Sequence, residues 1–272
     1  MGIKSYVQKK RVFNKICKDI KSLKIQGARN VAKKALYAYN LFPTLKSKKK
    51  LLSLRATEPM MENVLNLVKT KPYHEILPHF DSAQEKINQL VFKLIKNNDV
   101  IFTHCHSTNV THALIYAKKK GKKFEVYNTE TRPMFQGRKT AKELKRNKIK
   151  VTMFVDSAIG VALSKETGKQ PDLVLLGSDA LMKKGVINKI GSETIARIAR
   201  QEKIPVYIVA DSWKFTKQKI PIEQRELNEV WERAPKNIKI KNPAFEFIPK
   251  KYISGIITEL GFVSYGEFLR KV

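Results

Sequence analysis

From the start of the chain to about residue 95, apolar positions recur at helical spacing. Ile16, Ile20 and Leu23 form one set, and Val31, Ala35 and Leu36 another. Gly27 separates them, so Gln26-Gly27 reads as the joint between two helices. A glycine there lets backbone amides approach a ligand, and the helix start that follows is an anion site. Pro43 ends the second helix. The run Arg55-Ala56-Thr57-Glu58-Pro59 reads as a turn, with Pro59 in the first turn of a helix that carries Met60, Val64, Leu67 and Val68. Pro72 and Pro78 break the chain again. Ala83 to Ile95 predicts an amphipathic helix with Ile87, Leu90, Val91 and Leu94 on its apolar face. No strand pattern precedes Asp99.

After Asp99 short apolar runs alternate with helical segments, the signature of βαβ units and a parallel sheet. Strands are predicted near 99–103, 123–128, 149–155, 173–177 and 205–210, and helices near 109–120, 138–147, 157–165 and 191–202. Leu173-Val174-Leu175-Leu176-Gly177 is the clearest buried strand. From Gln218 the chain is polar and punctuated by proline, with Thr258-Glu259-Leu260-Gly261 and a helical stretch near its end. The pattern therefore divides into a helical part, 1–96, and an α/β part, 97–272. No internal repeat is visible.

Composition narrows the class. The length allows one large domain or two small ones. There is no run long enough to cross a bilayer and no signal-peptide pattern, which implies the cytoplasm. The two cysteines, Cys17 and Cys105, fit that compartment and lack the spacing of a structural zinc site. The net charge of +30 could serve nucleic acid or a polyanionic substrate. However, of the 54 basic residues only 11 are arginines, and the lysine runs at 48–50 and 118–120 have no interleaved aromatics. Nucleic acid is therefore not the expected partner. The absence of GxGxxG, Walker and GxSxG motifs speaks against dinucleotide binding, NTP hydrolysis and a serine-hydrolase elbow.

Chemistry collects where the predicted strands end. The first runs into Thr103-His104-Cys105-His106-Ser107. A cysteine just before a helix start feels the positive end of the helix dipole, which favours thiolate. The second leads to Asn128-Thr129-Glu130-Thr131-Arg132-Pro133 and Gln136-Gly137. The third leads to Asp156-Ser157, the fourth to Gly177-Ser178-Asp179, and the fifth to Asp211-Ser212-Trp213-Lys214-Phe215. A loop gives Asn188-Lys189-Ile190-Gly191 at a helix start. In a parallel sheet such ends converge on one edge. Each has a plain structural reading, for example Glu130–Arg132 as a surface pair, Asp156 as a cap and Lys189 as a solvated lysine. A shared site explains all of them at once.

Taken together, these motifs resemble the initiation factor 2B alpha/beta/delta-related family, whose members include archaeal ribose 1,5-bisphosphate isomerase and methylthioribose 1-phosphate isomerase. The resemblance spans nearly the whole chain and extends to the N-terminal Lys-Ile-Gln-Gly-Ala and to Arg55-Ala56-Thr57-Glu58-Pro59. It implies an α/β fold in which an N-terminal helical domain precedes a Rossmann-like domain of the ribose-phosphate isomerase type, assembled as a homodimer or dimer-based hexamer. It implies sugar-phosphate aldose–ketose isomerisation, of ribose 1,5-bisphosphate to ribulose 1,5-bisphosphate in nucleotide (AMP) salvage, with no cofactor and no metal. By resemblance Cys105 is the proton acceptor and Asp179 the proton donor. Substrate phosphates would be held by Gln26, Gly27, Ala28, Arg29, Arg55, Ser107, Asn188, Lys189 and Lys214. Gln26 departs from the family pattern, which has arginine there, and Arg29 is the nearest replacement. The competing expectation is a non-catalytic regulatory subunit that binds initiation factor 2. Methylthioribose 1-phosphate isomerase fits less well, because asparagine rather than His106 is expected after the cysteine.

Overall fold

A computed structural model describes residues 3–55, 58–166 and 168–272. Ala56 and Thr57 of the predicted turn thus lie outside the described residues. The N-terminal part is helical: α1 (Ile3–Lys21), α2 (Ala28–Leu41), α3 (Leu45–Leu52), α4 (Pro59–Leu67), α5 (Tyr73–Ile76) and α6 (His79–Leu94). Helix α3, which the apolar pattern did not predict, is capped by Thr44, whose Oγ1 accepts from the Ser47 amide at 3.1 Å. Pro59 opens α4 as its fixed φ allows. The apolar stripes of α1, α2 and α4 meet in one cluster that includes Ile20, Val31, Leu36, Met60 and Val64.

The α/β part follows as β1 (Val100–Thr103), α7 (Thr108–Lys119), β2 (Glu125–Thr129), α8 (Gln136–Arg146), β3 (Lys150–Phe154), α9 (Ile159–Leu163), β4 (Leu173–Leu176), β5 (Ala180–Met182), β6 (Gly185–Lys189), α10 (Ser192–Gln201), β7 (Val206–Val209), β8 (Phe245–Pro249), β9 (Gly255–Thr258), β10 (Gly261–Val263) and α11 (Tyr265–Lys271). A seven-stranded sheet runs β10-β9-β7-β4-β1-β2-β3. It is parallel except for the edge pairing of β10 with β9. Side chains alternate across it. Ile101, Val126, Leu175 and Ile257 face α6 and α7, whereas Phe102, Val174, Leu176 and Ile208 face α10 and α11.

The five predicted strands are all present. Three features differ from the reading of the pattern. The helix predicted over 157–165 is a single turn of 3-10 helix followed by the short α9, which ends at Leu163. A second, antiparallel sheet, β5-β6-β8, was not foreseen. Its Asn188 and Lys189 are consequently the end of a strand and not a loop. The sheet also continues through β9, whose Gly255-Ile256-Ile257-Thr258 is wholly buried beside β7.

Candidate functional site

The carboxyl ends of β1 and β4, the start of α2, the 3-10 turn Ser212–Lys214 and the end of β6 enclose one cavity. Cys105, Asp179, Gln26, Gly27, Ala28, Arg29, Arg55, Ser107, Asn188, Lys189 and Lys214 all line it. Every residue expected at the site is therefore brought to one place. Glu58, Gln136, Lys139, Glu223 and Arg225 line it too. Glu58 and Gln136 stand inside the motifs quoted above. Glu223 and Arg225 lie in the polar tail, where no periodicity marks them.

At the end of β1, Ser107 caps α7, its Oγ accepting from the Val110 amide at 3.4 Å. Gly177 permits this close approach of β4, because a Cβ there would sit 2.6 Å from Ser107 Cβ and Oγ. Cys105 itself adopts a left-handed backbone, φ 63°. Its thiol is pushed up to about 11, mainly by burial, with Lys189 pulling the other way. The helix dipole does not win, contrary to the thiolate expected from position alone: Cys105 precedes the cap, and losing water costs the anion more than the dipole returns.

The flanking imidazoles are neutral. His104 Nε2 donates to the Ile190 carbonyl at 2.8 Å, so Nδ1 accepts from Thr129 Oγ1 at 2.5 Å. Burial lowers His104 to about 4. Gly191, at φ 100°, lies against this ring, since a Cβ would come within 3.2 Å of it. His106 is also lowered to about 4, by burial and then by Lys139.

The carboxyl side is built by β4 and the second sheet. The Asp179 amide donates to the Ile187 carbonyl at 2.8 Å. Burial raises the Asp179 carboxyl, while Lys214, Lys189 and Arg55 oppose that shift. Lys214 is held by the Ser178 carbonyl at 2.6 Å. Its 3-10 turn is bolted from several sides. Asp211 caps it at Trp213 N (2.9 Å), Glu259 takes the Ser212 amide (3.0 Å), and His79 stacks on Trp213 with centroids 3.4 Å apart. Lys189, only 9% exposed, packs over the Phe245 ring and is not a solvated lysine.

At the α2 end, Gly27 has φ 82° and no side chain caps the helix, leaving its first amides for an anion. Gln26 is exposed. Arg29 does not replace the missing cation freely, because it pairs with Asp81 at 2.5 Å. Arg55 touches Glu58 at 3.2 Å and Glu223 at 3.5 Å. Among the described residues, Arg55 Nε, Glu58 Oε2 and Gln136 Oε1 are buried polar atoms with no hydrogen-bond partner. The pair Glu130–Arg132 is not formed. Arg138 binds Glu130 at 2.8 Å, and Arg132 lies over the Phe135 ring.

Fold and site together define an α/β protein with a cation-lined cavity that presents a thiol and a carboxyl group. The chain belongs to the Initiation factor 2 subunit family, whose model matches residues 38–264. It is 34% identical to the ribose 1,5-bisphosphate isomerase of Methanocaldococcus jannaschii, over 93% of this chain and 91% of that protein. It is 31% identical to the enzyme of the same name from Archaeoglobus fulgidus, over 90% and 87%. The crystal structure of the Pyrococcus horikoshii translation initiation factor eIF-2B superposes with a TM-score of 0.80 at 28% identity, covering 93% of this chain and 96% of that one.

Proposed function

We propose that this protein is a sugar-phosphate aldose–ketose isomerase that converts ribose 1,5-bisphosphate to ribulose 1,5-bisphosphate in nucleotide (AMP) salvage in the cytoplasm. The observation that carries the reading is the joint presence of Cys105 and Asp179 in one cavity lined by Arg55, Lys189 and Lys214. By the resemblance, the regulatory subunits tend to lack that pair.

In this reading, Asp179 protonates the ring oxygen, and the bond from C1 to that oxygen breaks. A carboxyl held neutral by burial is suited to the step. The Cys105 thiolate takes the C2 proton, leaving an enol. The thiol then returns that proton to C1 as the 2-hydroxyl proton passes to the Asp179 carboxylate. Both groups end as they began. Cys105 reaches its thiolate with difficulty, and Lys189 is the cation that favours it. The phosphates are assigned to the amides of Gly27, Ala28 and Arg29, to Arg55, Ser107 and Asn188, and to the ammonium groups of Lys189 and Lys214. Gln26 offers an amide where the resemblance expects a guanidinium. This chemistry calls for no metal or nucleotide cofactor. The assembly is taken to be a homodimer or dimer-based hexamer, which light scattering would measure.

Cys105→Ser should lower turnover of ribose 1,5-bisphosphate by about 10²–10⁴-fold with substrate binding and circular dichroism unchanged. Undiminished turnover in this variant would overturn the mechanism. A wild-type protein that turns over no pentose phosphate and co-purifies with initiation factor 2 would establish the regulatory reading instead.

A further inference from the structure

The backbone of Cys105 is clamped at both ends by side chains that do not line the cavity. Its N–H donates to Thr131 Oγ1 at 3.0 Å. Its carbonyl accepts from Thr140 Oγ1 at 2.7 Å. Because that hydroxyl proton is committed to Cys105, His106 Nδ1 must be the donor in its 3.0 Å contact with Thr140. Thr131 is in turn fixed from behind. Asp156 accepts from the Thr131 amide at 2.8 Å and from the Arg132 amide at 2.6 Å. Both Cys105 (φ 63°) and Thr131 (φ 62°) hold left-handed backbone, although neither is glycine. Such backbone is disfavoured for a residue with a Cβ and persists only where its surroundings over-determine it. Here three strand ends do so: β1 supplies the cysteine, β2 runs into Thr131, and β3 runs into Asp156. A buried threonine, 1% exposed, with its hydroxyl turned to a neighbouring backbone amide has no packing reason to be polar.

We propose that Thr131 and Asp156 are positioning residues for the Cys105 thiol, holding its peptide in the one conformation that directs the sulfur into the cavity, with Thr140 and His106 closing the clamp from the other side. The proposal rests on the assignment of Cys105 as proton acceptor, but its test does not depend on the substrate. Cys17 is the other cysteine, and it is buried in α1, 5% exposed. Alkylation by iodoacetamide, followed on each cysteine peptide by mass spectrometry in the full chain, therefore reports the clamp directly. Cys17 serves as the internal control for global unfolding.

Thr131→Val removes the acceptor and keeps the shape. It should raise the alkylation rate of Cys105 several-fold with Cys17 still protected. It should also lower kcat for ribose 1,5-bisphosphate by about tenfold, the loss expected from one buried hydrogen bond, at unchanged KM. Thr131→Ser, which restores the hydroxyl, should recover both readouts. If Thr131→Val exposes Cys17, Asp156→Asn is read in the same way. Its Cys105 profile should in addition move to lower pH, since a carboxylate beside the thiol is gone. Wild-type alkylation and kcat in the folded variants would overturn the clamp. A wild type without isomerase activity would remove the function assigned above, and the alkylation rates would still decide the clamp.

Discussion

At Glu58, burial decides the protonation state. Its carboxyl is 3% exposed and is pushed up to about 8, first by loss of water and then by the nearby Asp179, with Arg55 opposing. The unfolded chain releases this proton near pH 4.3. The folded protein thus binds the extra proton between the two values. The stability this contributes is present at low pH and is lost as pH rises through about 8. His104 and His106, each lowered to about 4, act in the opposite sense, but only below their unfolded value of about 6.5. Between about pH 6.5 and 8 the Glu58 slope is therefore not masked by them. Thermal unfolding of the wild type should move to lower temperature across that window, and Glu58→Gln should flatten the curve. A wild-type Tm that rises there would show that Glu58 is ionised in the folded state. The role of Lys189 likewise depends on where the fold puts it. In the sequence it reads as an ordinary lysine of a basic chain, and only its place at the end of β6, against Phe245, makes it part of a site.

At the level of elements, close backbone approach is what brings the strand ends into register with the helices. Gly137 opens α8 directly against β2. A Cβ there would lie 1.8 Å from the Thr129 carbonyl oxygen, a backbone atom with no freedom to give way. Asn128 Nδ2 reaches the Gly137 carbonyl at 2.9 Å in the same contact. Gly137→Ala should therefore destabilise by at least the roughly 1–3 kcal/mol typical of overpacking, seen as a lower Tm or loss of soluble protein. A variant of wild-type stability would show that α8 can shift without cost. The glycine was visible in the sequence beside Gln136, but its reason was not, because the clash involves a residue on another element. The β5-β6-β8 sheet was illegible for a related cause. Its central strand β6 pairs with a strand that follows only after α10, β7 and the polar tail. Local pattern carries no information about such a partner. Among the five foreseen parallel strands, β1 and β4 were the most legible, because each is wholly buried and reads as an apolar run or nearly so by itself.

For the whole molecule, α6 is the member that makes one body of two patterns. Phe80 at its start belongs to the helical cluster, whereas Ile87 and Val91 lie in the cluster under the sheet. From α4, Asn63 reaches the Trp213 and Phe215 carbonyls, both at 2.8 Å, tying the helical part to the turn that carries Lys214. The net charge of +30 works against this compactness through self-repulsion. Raising ionic strength from low values to about 0.5 M should screen that repulsion and raise Tm by a few degrees. A fall in Tm would mean that ion pairs such as Arg29–Asp81 outweigh it. Among the described residues no helix is long and apolar enough to cross a membrane.

By itself the sequence determined the order of most helices and of five parallel strands, and which residue types stand at their ends, because periodicity and backbone preference are local. It also supplied the motif set that identifies the family. Tertiary structure alone decided that Cys105 carries a proton it was expected to lose, that Lys189 is buried, and that Glu58 and Glu223 press on Arg55. It alone decided that Thr131 and Asp156 grip the cysteine. Protonation and hydrogen bonding depend on how much water is excluded and on which distant groups arrive, and neither is written along the chain.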